Sequence, residues 1–324
     1  MDDTAPDSRY LDIAVGVVVD RDGRLLVARR RPGTPGAGRW EFPGGKRESG
    51  ETMAACLERE LGEEIGVVDC RGEPIIRFAH EQGVRPVRLH VWRIHRWRGE
   101  PAGREGQQLR WVAPEALAGL DLLPATDIIL NALFLPQRYL ITPDFEPARE
   151  RAWFAGLDAA LAQGVRLLRL RAGELDDTAY ERLTERVAPR AAAADARLLL
   201  DRDAAMVERV GAAGLHWPAA RVAAAAARPI ARPRLFAASA HDANELAAAA
   251  ALGADFATLS PVRATPSHPE TLGLGWAGWA ERRRDQALPV YALGGVGELD
   301  LAEARACNAQ GVAAIRAFWG TGGG

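Results

Sequence analysis

The stretch from Gly45 to Val67 reads GKRESGETMAACLERELGEEIGV and decides most of what this chain can be. It matches the pattern G-x5-E-x7-R-E-U-x-E-E-x-G-U, in which U is a bulky aliphatic residue, at every fixed position. Thr52 can cap a helix, and apolar residues follow at helical spacing: Ala54, Leu57, Leu61 and Ile65. The spacing predicts an amphipathic helix that ends at Gly66.

Three acidic residues fall within one turn of this helix, on a flank beside the apolar stripe: Glu60, Glu63 and Glu64. We expect their carboxylates to converge on one point, to which Glu51 of the preceding loop can be brought. Because like charges repel, a hard divalent cation, Mg2+ or Mn2+, is the simplest way to keep them ionised together. Such a cation neutralises phosphate oxygens and activates water. The alternative is a solvated helix face held by ion pairs to Arg59.

The complete pattern resembles the box of the Nudix hydrolases, which cut a nucleoside diphosphate linked to another group. Other segments resemble the MutT-type branch, which converts 8-oxo-dGTP to 8-oxo-dGMP and diphosphate: Ala14-Val15-Gly16, Arg29-Arg30, Glu41 to Lys46, and Gly103 to Gln107. The resemblance implies an α/β/α sandwich with a mixed sheet, a divalent cation and a small nucleotide substrate. It also implies a role in nucleotide-pool sanitation, and so in DNA replication and repair.

The same resemblance implies roles for single residues. The metal ligands would be Gly44, Glu60, Glu63, Glu64 and Glu105. The catalytic residues would be Arg59, Glu60 and Glu64, with Glu60 as the base that activates water. The substrate contacts would be Arg30, Phe42, Gly44, Gly45, Arg85, Thr126 and Asp127. Arginine suits phosphate or base contacts, and glycine lets backbone amides approach phosphate closely.

The position that reads the base departs from the MutT pattern. That pattern has Pro-Ala-Asn before its last helix, whereas residues 124–127 read Pro-Ala-Thr-Asp. Oxidised guanine carries a donor at N7, so its reader must offer an acceptor, which Thr126 or Asp127 can do. The two residues are equally explained as a capping pair. Phe42 can pack on the base or in the core, and two other arginines can simply be exposed: Arg29 and Arg31.

Composition narrows the partners and the compartment. The chain has 324 residues, 41 basic and 43 acidic, so its net charge of −2 provides no field that attracts nucleic acid or an anionic membrane. The three cysteines are isolated, which suits a reducing compartment. The opening MDDTAPDSRY lacks an apolar leader core, and no apolar run approaches membrane-spanning length. We therefore expect a cytoplasmic protein without a nucleic-acid or membrane partner.

The length suits two domains, and the pattern changes near Leu135-Pro136-Gln137, which predicts domains 1–136 and 137–324. In the first, LDIAVGVVVD and RLLVARR predict a strand pair joined by the Asp22-Gly23 turn. Further strands are expected at VRLHVWRIHRW and QLRWVAP, and a last helix at PATDIILNALF.

The second domain alternates short aliphatic runs with Ala-rich amphipathic segments. The runs are YLIT, VRLLRLR, RLLLD, GLHW, RLFAAS, DFATLS, PVYALGG and VAAIRAF. Eight short, evenly spaced strands with intervening helices predict a small TIM-type (β/α)8 barrel.

The second domain resembles thiamine phosphate synthase and its TenI-like relatives over roughly residues 138–320. The matching segments are Gly214-Leu215-His216, Ser239-Ala240-His241, Pro261-Val262 and Pro289 to Val296. The last contains Gly294 and Gly295, where such barrels commonly hold phosphate. His216 and His241 are otherwise explained as barrel histidines with satisfied hydrogen bonds.

Several residues of the synthase pattern are replaced. The Gln-x-Arg-x-Lys run reads RLRAG at 169–173, the Asn-Asp pair reads Asp201-Arg202, the second acidic ligand falls on Arg221, and His268 stands where lysine is usual. Exchanging carboxylates for guanidinium groups inverts the charge and should exclude Mg2+. We expect a degenerate barrel that keeps its fold and binds a phosphorylated ligand.

Three hypotheses follow from these residues. The first is an 8-oxo-dGTP diphosphatase with an appended barrel. The second is an enzyme of thiamine metabolism that combines Nudix cleavage of a pathway diphosphate with thiamine phosphate synthase or thiazole chemistry. The third treats the barrel as a non-catalytic module that binds a phosphorylated ligand. The intact EFPGGK and GREGQ segments favour the first, and the replaced carboxylates weigh against the second.

Overall fold

The computed structural model describes residues 9–81, 86–264 and 272–320, so Arg85 and His268 lie outside the described residues. The chain divides into two compact units, residues 1–134 and 135–324. None of the helices within the described ranges is long and apolar enough to cross a membrane.

The described residues of the first unit form two sheets and two α-helices. Its strands are β1 (Leu11–Val18), β2 (Leu25–Arg29), β3 (Trp40–Glu41), β4 (Gly44–Lys46), β5 (Val68–His80), β6 (Val87–Arg98) and β7 (Leu109–Val112), and its helices are α1 (Met53–Ile65) and α2 (Ala125–Phe134). A four-stranded mixed sheet has the order β4-β1-β6-β5, in which β1 and β6 are parallel. An antiparallel sheet has the order β3-β2-β7. The predicted mixed sheet is confirmed.

The expected pairing of the first two strands is wrong. The turn after β1 is present, with the Asp20 amide bonded to the Arg24 carbonyl at 3.0 Å and one bridge between Val19 and Leu25. Beyond that bridge the strands enter different sheets. The reason is that β1 pairs with β4 on one edge and β6 on the other, so no edge remains for β2.

Strand β5 was not predicted from the sequence. It pairs with β6 through three register shifts, between Val68 and Arg71, between Arg71 and Gly72, and between Pro74 and Ile76. Each shift interrupts the alternation of buried and exposed side chains that identifies a strand in a sequence. The irregularity therefore hides the strand until its partner is known.

Helix α1 begins and ends as predicted. The Ala55 amide donates to the Thr52 hydroxyl at 3.1 Å, and Gly66 closes the helix with φ of 74°. The buried face is Met53, Cys56, Leu57, Leu61 and Ile65, whereas Ala54, expected in the stripe, is exposed. That face packs against residues of both sheets, including Val18 and Leu26.

The second unit is a closed barrel of eight parallel strands, each lying at its predicted segment. They are β8 (Arg138–Ile141), β9 (Leu167–Leu170), β10 (Arg197–Leu200), β11 (Gly214–Trp217), β12 (Leu235–Ala240), β13 (Phe256–Leu259), β14 (Val290–Leu293) and β15 (Gly311–Ala314). The helices are α3 (Glu150–Ala162), α4 (Asp177–Ala193), α5 (Ala204–Val210), α6 (Ala219–Ala223), α7 (Ala243–Ala251), α8 (Gly275–Arg283) and α9 (Leu301–Ala306). Buried residues including Tyr139, Leu199, Phe256 and Tyr291 form an inner cluster. The predicted TIM-type barrel is confirmed.

Candidate active site

A cavity of about 680 Å3 lies in the first unit and carries apolar, cationic and acidic side chains. The apolar ones include Leu11, Ile13, Val15, Phe42, Val87, Leu89, Leu123 and Ile129. The charged ones are Arg29, Arg30, Arg31, Lys46, Glu41, Glu64 and Glu105. A space with this lining can take an aromatic base against its apolar part and phosphates among its charges.

Glu64 is a carboxylate of this cavity whose pKa departs strongly from its usual value. Its side chain accepts a hydrogen bond from the Gly44 amide at 2.9 Å. Burial, together with the negative charges of Glu41, Glu60 and Glu105, nevertheless raises the pKa of Glu64 to about 7. Without a cation, much of the Glu64 population therefore holds a proton near neutral pH.

Arg59 ties the other acidic residues of the box together. Its guanidinium donates to Glu51 at 2.9 and 3.0 Å, to Glu60 at 2.8 Å and to Glu63 at 3.0 Å, and also to the Lys46 carbonyl at 3.0 Å. Hydrogen bonds from Arg59 lower the pKa of Glu51 to about 2. The position of Arg59 therefore suits it to orient the carboxylates of Glu51, Glu60 and Glu63.

Two glycines make room for this arrangement. A Cβ atom on Gly44 would lie 2.0 Å from the Ala14 carbonyl oxygen of β1, and the φ of Gly44 is 148°. A Cβ atom on Gly45 would lie 2.2 Å from a carboxylate oxygen of Glu60. Gly44 requires glycine because its φ is positive and its backbone passes close to β1, whereas Gly45 leaves room for the Glu60 carboxylate.

A loop carboxylate is attached to the end of α1 by Gln107, whose part was not predicted from the sequence. The Gln107 carboxamide donates to the Glu64 carbonyl at 2.8 Å and accepts from the Glu105 amide at 2.9 Å. The Arg104 amide also donates to the Glu64 carbonyl, at 3.0 Å. The bridge places the backbone of Glu105 beside that of Glu64. The GREGQ segment was the signal available in the sequence. It did not indicate that Gln107 would contact Glu64.

The expected convergence of Glu60, Glu63 and Glu64 on one point is not what the structure shows. Within the described ranges, no three Asp, Glu, His or Cys side chains are grouped as a metal site. Glu60 and Glu63 are bonded to Arg59, and Glu105 lies 2.9 Å from Arg31. The donor set still fits a hard divalent cation, because burial and the negative charges of Glu41, Glu60 and Glu105 raise the pKa of Glu64, and carboxylate oxygens are the donors that such a cation prefers.

The two candidate base-reading residues differ in exposure and in their position relative to the cavity. Thr126 is buried and lines the cavity, whereas Asp127 is exposed in the same turn of α2 and is not among the described lining residues. Phe42 is buried and also lines the cavity, so it belongs to both the core and the cavity wall. Arg30 lines the cavity with one guanidinium nitrogen 2.6 Å from Glu41.

In the barrel, arginines lie against Asp201 and against two aromatic rings. Asp201 lies 3.4 Å from Arg169 and 3.0 Å from Arg202. The Arg202 guanidinium lies 4.1 Å from the centre of the Tyr180 ring, and that of Arg221 lies 4.1 Å from the centre of a Trp217 ring. Guanidinium groups stacked and paired in this way offset the charge of Asp201 and cannot ligate a metal ion.

The two barrel histidines differ. His216 is fully buried, with Nδ1 2.7 Å from the Tyr139 hydroxyl and Nε2 2.8 Å from the Ser239 hydroxyl. Burial lowers its pKa well below the usual range. His241 is exposed and lies 2.9 Å from Glu245.

The predicted phosphate loop follows β14. Gly294 and Gly295 have φ of 99° and 67°, and a Cβ atom on either would lie 2.8 Å from Pro261 or Arg263. Arg263 donates to the Gly295 carbonyl at 3.1 Å and lies 2.7 Å from Asp300. The turn therefore requires glycine, and its role in phosphate binding stays a prediction.

Comparison with known families agrees with both units. Residues 10–133 match the NUDIX domain family, and residues 138–318 match TMP-TENI, described as thiamine monophosphate synthase. Because the second match spans more than half of the chain, the chain belongs to the thiamine monophosphate synthase family, and it carries a Nudix domain before the barrel. The Nudix domain is that of a hydrolase acting on pyrophosphate bonds.

Individual relatives resemble one unit or the other. An 8-oxo-dGTP diphosphatase of Haemophilus influenzae is 35% identical over 127 residues, 39% of this chain and 93% of that protein. A CTP pyrophosphohydrolase of Escherichia coli is 37% identical over 124 residues, 38% of this chain and 91% of that protein. A Geobacter sulfurreducens protein named "Putative thiamine-phosphate synthase" is 37% identical over 191 residues, 56% of this chain and 85% of that protein. The first two relatives support nucleotide diphosphatase activity for the first unit.

Proposed function

We propose that the Nudix domain hydrolyses 8-oxo-dGTP to 8-oxo-dGMP and diphosphate, and so removes an oxidised precursor from the nucleotide pool. The observation that carries the proposal is the cavity in which Thr126 and Phe42 share one space with Glu64 and Glu105. The similarity to the Haemophilus influenzae diphosphatase supports the same substrate.

The proposal assigns the cation site to Glu60, Glu63, Glu64 and Glu105, together with Gly44. Mg2+ is the proposed cation, with Mn2+ as a substitute; when bound, it would neutralise phosphate oxygens and activate the attacking water. Glu60 is the proposed base, since a carboxylate held by Arg59 keeps a fixed orientation. Hydrolysis adds water across one P–O–P bond and leaves two phosphate products.

The proposed substrate contacts divide by chemistry. Arg30 and Arg85 would contact phosphate or base, and the backbone at Gly44 and Gly45 would lie against phosphate. Thr126, whose hydroxyl can accept a hydrogen bond, would read the oxidised edge of the base while Phe42 packs against its face. The exposed position of Asp127 favours Thr126 as the reader.

A substrate panel tests the proposal. The full chain would be assayed with Mg2+ on 8-oxo-dGTP, dGTP, CTP and thiamine diphosphate, with kcat/KM measured for each. We expect 8-oxo-dGTP to give the highest value. A preference for CTP would align the domain with the E. coli relative, and a preference for thiamine diphosphate would support a thiamine-pathway enzyme.

We propose for the barrel that it binds a phosphorylated small molecule near Gly294 and Gly295 without making thiamine phosphate. The observation that favours this is the network of Arg169, Asp201 and Arg202. A phosphate can be held by guanidinium groups and backbone amides, whereas the synthase reaction would need a cation to stabilise its leaving diphosphate.

A further inference from the structure

Arg31 makes two contacts with Glu105, the loop carboxylate of the cavity. One guanidinium nitrogen lies 2.9 Å from the Glu105 carboxylate, and the other donates to the Glu105 carbonyl at 3.2 Å. Both residues line the cavity. The guanidinium repels a cation and offsets the negative charge that Glu105 would offer it, so the ion pair competes with the proposed cation site.

The backbone on both sides of this pair is anchored, and the side chains are not enclosed. The Arg31 carbonyl accepts from the Thr34 hydroxyl at 2.8 Å, and the Glu105 amide donates to Gln107 at 2.9 Å. The side chains of Arg31 and Glu105 are 49% and 40% exposed. Separating the pair therefore requires only side-chain rotation, a fast motion for exposed groups.

We propose that Arg31 is a positioning residue that occupies Glu105 until a divalent cation takes that carboxylate, and that the released guanidinium then binds a phosphate oxygen of the nucleotide. The inference rests on the proposed function, since it takes Glu105 as a cation ligand. It distinguishes Arg31 from Arg30, whose guanidinium is paired with Glu41. Cation and nucleotide binding are then coupled, and the coupling is reciprocal.

The first test is the affinity of the full chain for Mn2+ without nucleotide, measured from the electron paramagnetic resonance signal of free Mn2+. An exposed ion pair is a weak competitor, so Arg31→Gln should tighten Mn2+ binding by about two- to fivefold. The matched control is Arg29→Gln, which removes the same charge from the same cavity, although Arg29 donates to the Gly38 carbonyl and not to a carboxylate. The comparison separates release of Glu105 from a general change in charge.

The second test repeats the titration with a non-hydrolysable α,β-methylene analogue of dGTP. We expect the analogue to strengthen Mn2+ binding to the wild-type chain by a measurable factor. We expect that factor to fall about threefold or more in Arg31→Gln, because this substitution removes the guanidinium that binds phosphate. In Arg29→Gln the factor should fall less than about twofold. Arg31→Lys, which keeps the charge but not two parallel donors, should lie between them.

Glu105→Gln distinguishes the possible failures. If Glu105→Gln leaves Mn2+ affinity unchanged, Glu105 is no cation ligand, and both the inference and that part of the proposed function are wrong. If Glu105→Gln weakens Mn2+ binding while Arg31→Gln behaves as Arg29→Gln does, only the role of Arg31 is overturned. Circular dichroism spectra that match the wild type establish that each variant is folded.

Discussion

The two units use carboxylates and guanidinium groups in opposite ways. In the Nudix domain, partial burial and the negative charges of Glu41, Glu60 and Glu105 raise the pKa of Glu64 to about 7. In the barrel, Asp201 lies between Arg169 and Arg202. In the first site each neighbouring carboxylate is paired with an arginine and the pKa of Glu64 is still raised, whereas in the second site two arginines lie directly against Asp201.

This difference indicates which ligands each unit can hold. A group of carboxylates whose proton affinity is raised by mutual repulsion gains from a divalent cation, because the cation replaces the proton. A guanidinium cannot ligate a cation, but it can form paired hydrogen bonds with phosphate. Charge, more than fold, therefore separates a hydrolase site from a barrel whose Asp201 lies against arginines.

The largest expected effect comes from removing the carboxylates of the first site. Glu60→Gln or Glu64→Gln should lower kcat/KM for 8-oxo-dGTP by about a hundredfold or more, since a lost base or ligand costs at least that. Glu115→Gln, an exposed change in the same unit, is the control. Turnover within about threefold of the wild type in both site variants would contradict the assignment, provided that their circular dichroism spectra match.

The bridge between the loop and α1 should have the next largest effect. Gln107→Leu removes the donor to the Glu64 carbonyl and the acceptor for the Glu105 amide, and it should lower kcat/KM by about ten- to a hundredfold. The neighbouring exposed Gln108→Leu is the matched control. Equal rates for the two variants would show that the bridge is not needed to position Glu105.

Base discrimination should depend on Thr126. Thr126→Val keeps the shape of the side chain and removes its hydroxyl, so selectivity for 8-oxo-dGTP over dGTP should fall by about 1–3 kcal/mol in a competition assay. Asp127→Asn, in the same turn of α2 but exposed, should leave selectivity unchanged. The reverse result would make Asp127 the reader.

Cation binding should release a proton at low pH. Because the pKa of Glu64 is raised to about 7, this carboxyl is about nine-tenths protonated at pH 6, and ligation requires its ionised form. Calorimetry of Mg2+ binding in two buffers of different ionisation enthalpy should give close to one proton released at pH 6 and almost none at pH 8.5. Glu64→Gln should remove the difference, and an equal count at both pH values in the wild type would refute this role.

The smallest expected effect concerns synthase activity. The full chain carrying Glu64→Gln should form no thiamine phosphate above background, because Arg202 and Arg221 replace the acidic positions of the synthase pattern. Robust, Mg2+-dependent formation of thiamine phosphate would refute the contrast between the two units and favour a bifunctional thiamine enzyme.

The sequence by itself determined the elements whose signals are local. The cap at Thr52, the left-handed Gly66 and the eight barrel strands all depend on residues within a few positions of each other, so spacing alone predicted them. The same holds for the acidic set on α1.

Only the tertiary structure decided which sheets the strands enter and what each charged side chain contacts. Gln107 meets Glu64 across 43 residues, and Arg31 meets Glu105 across 74. Strand β1 pairs with β4 on one edge and with β6 on the other, so β2 pairs in another sheet. These outcomes, like the pKa of Glu64, depend on burial and on distances between charges, and both quantities exist only once remote segments have packed together.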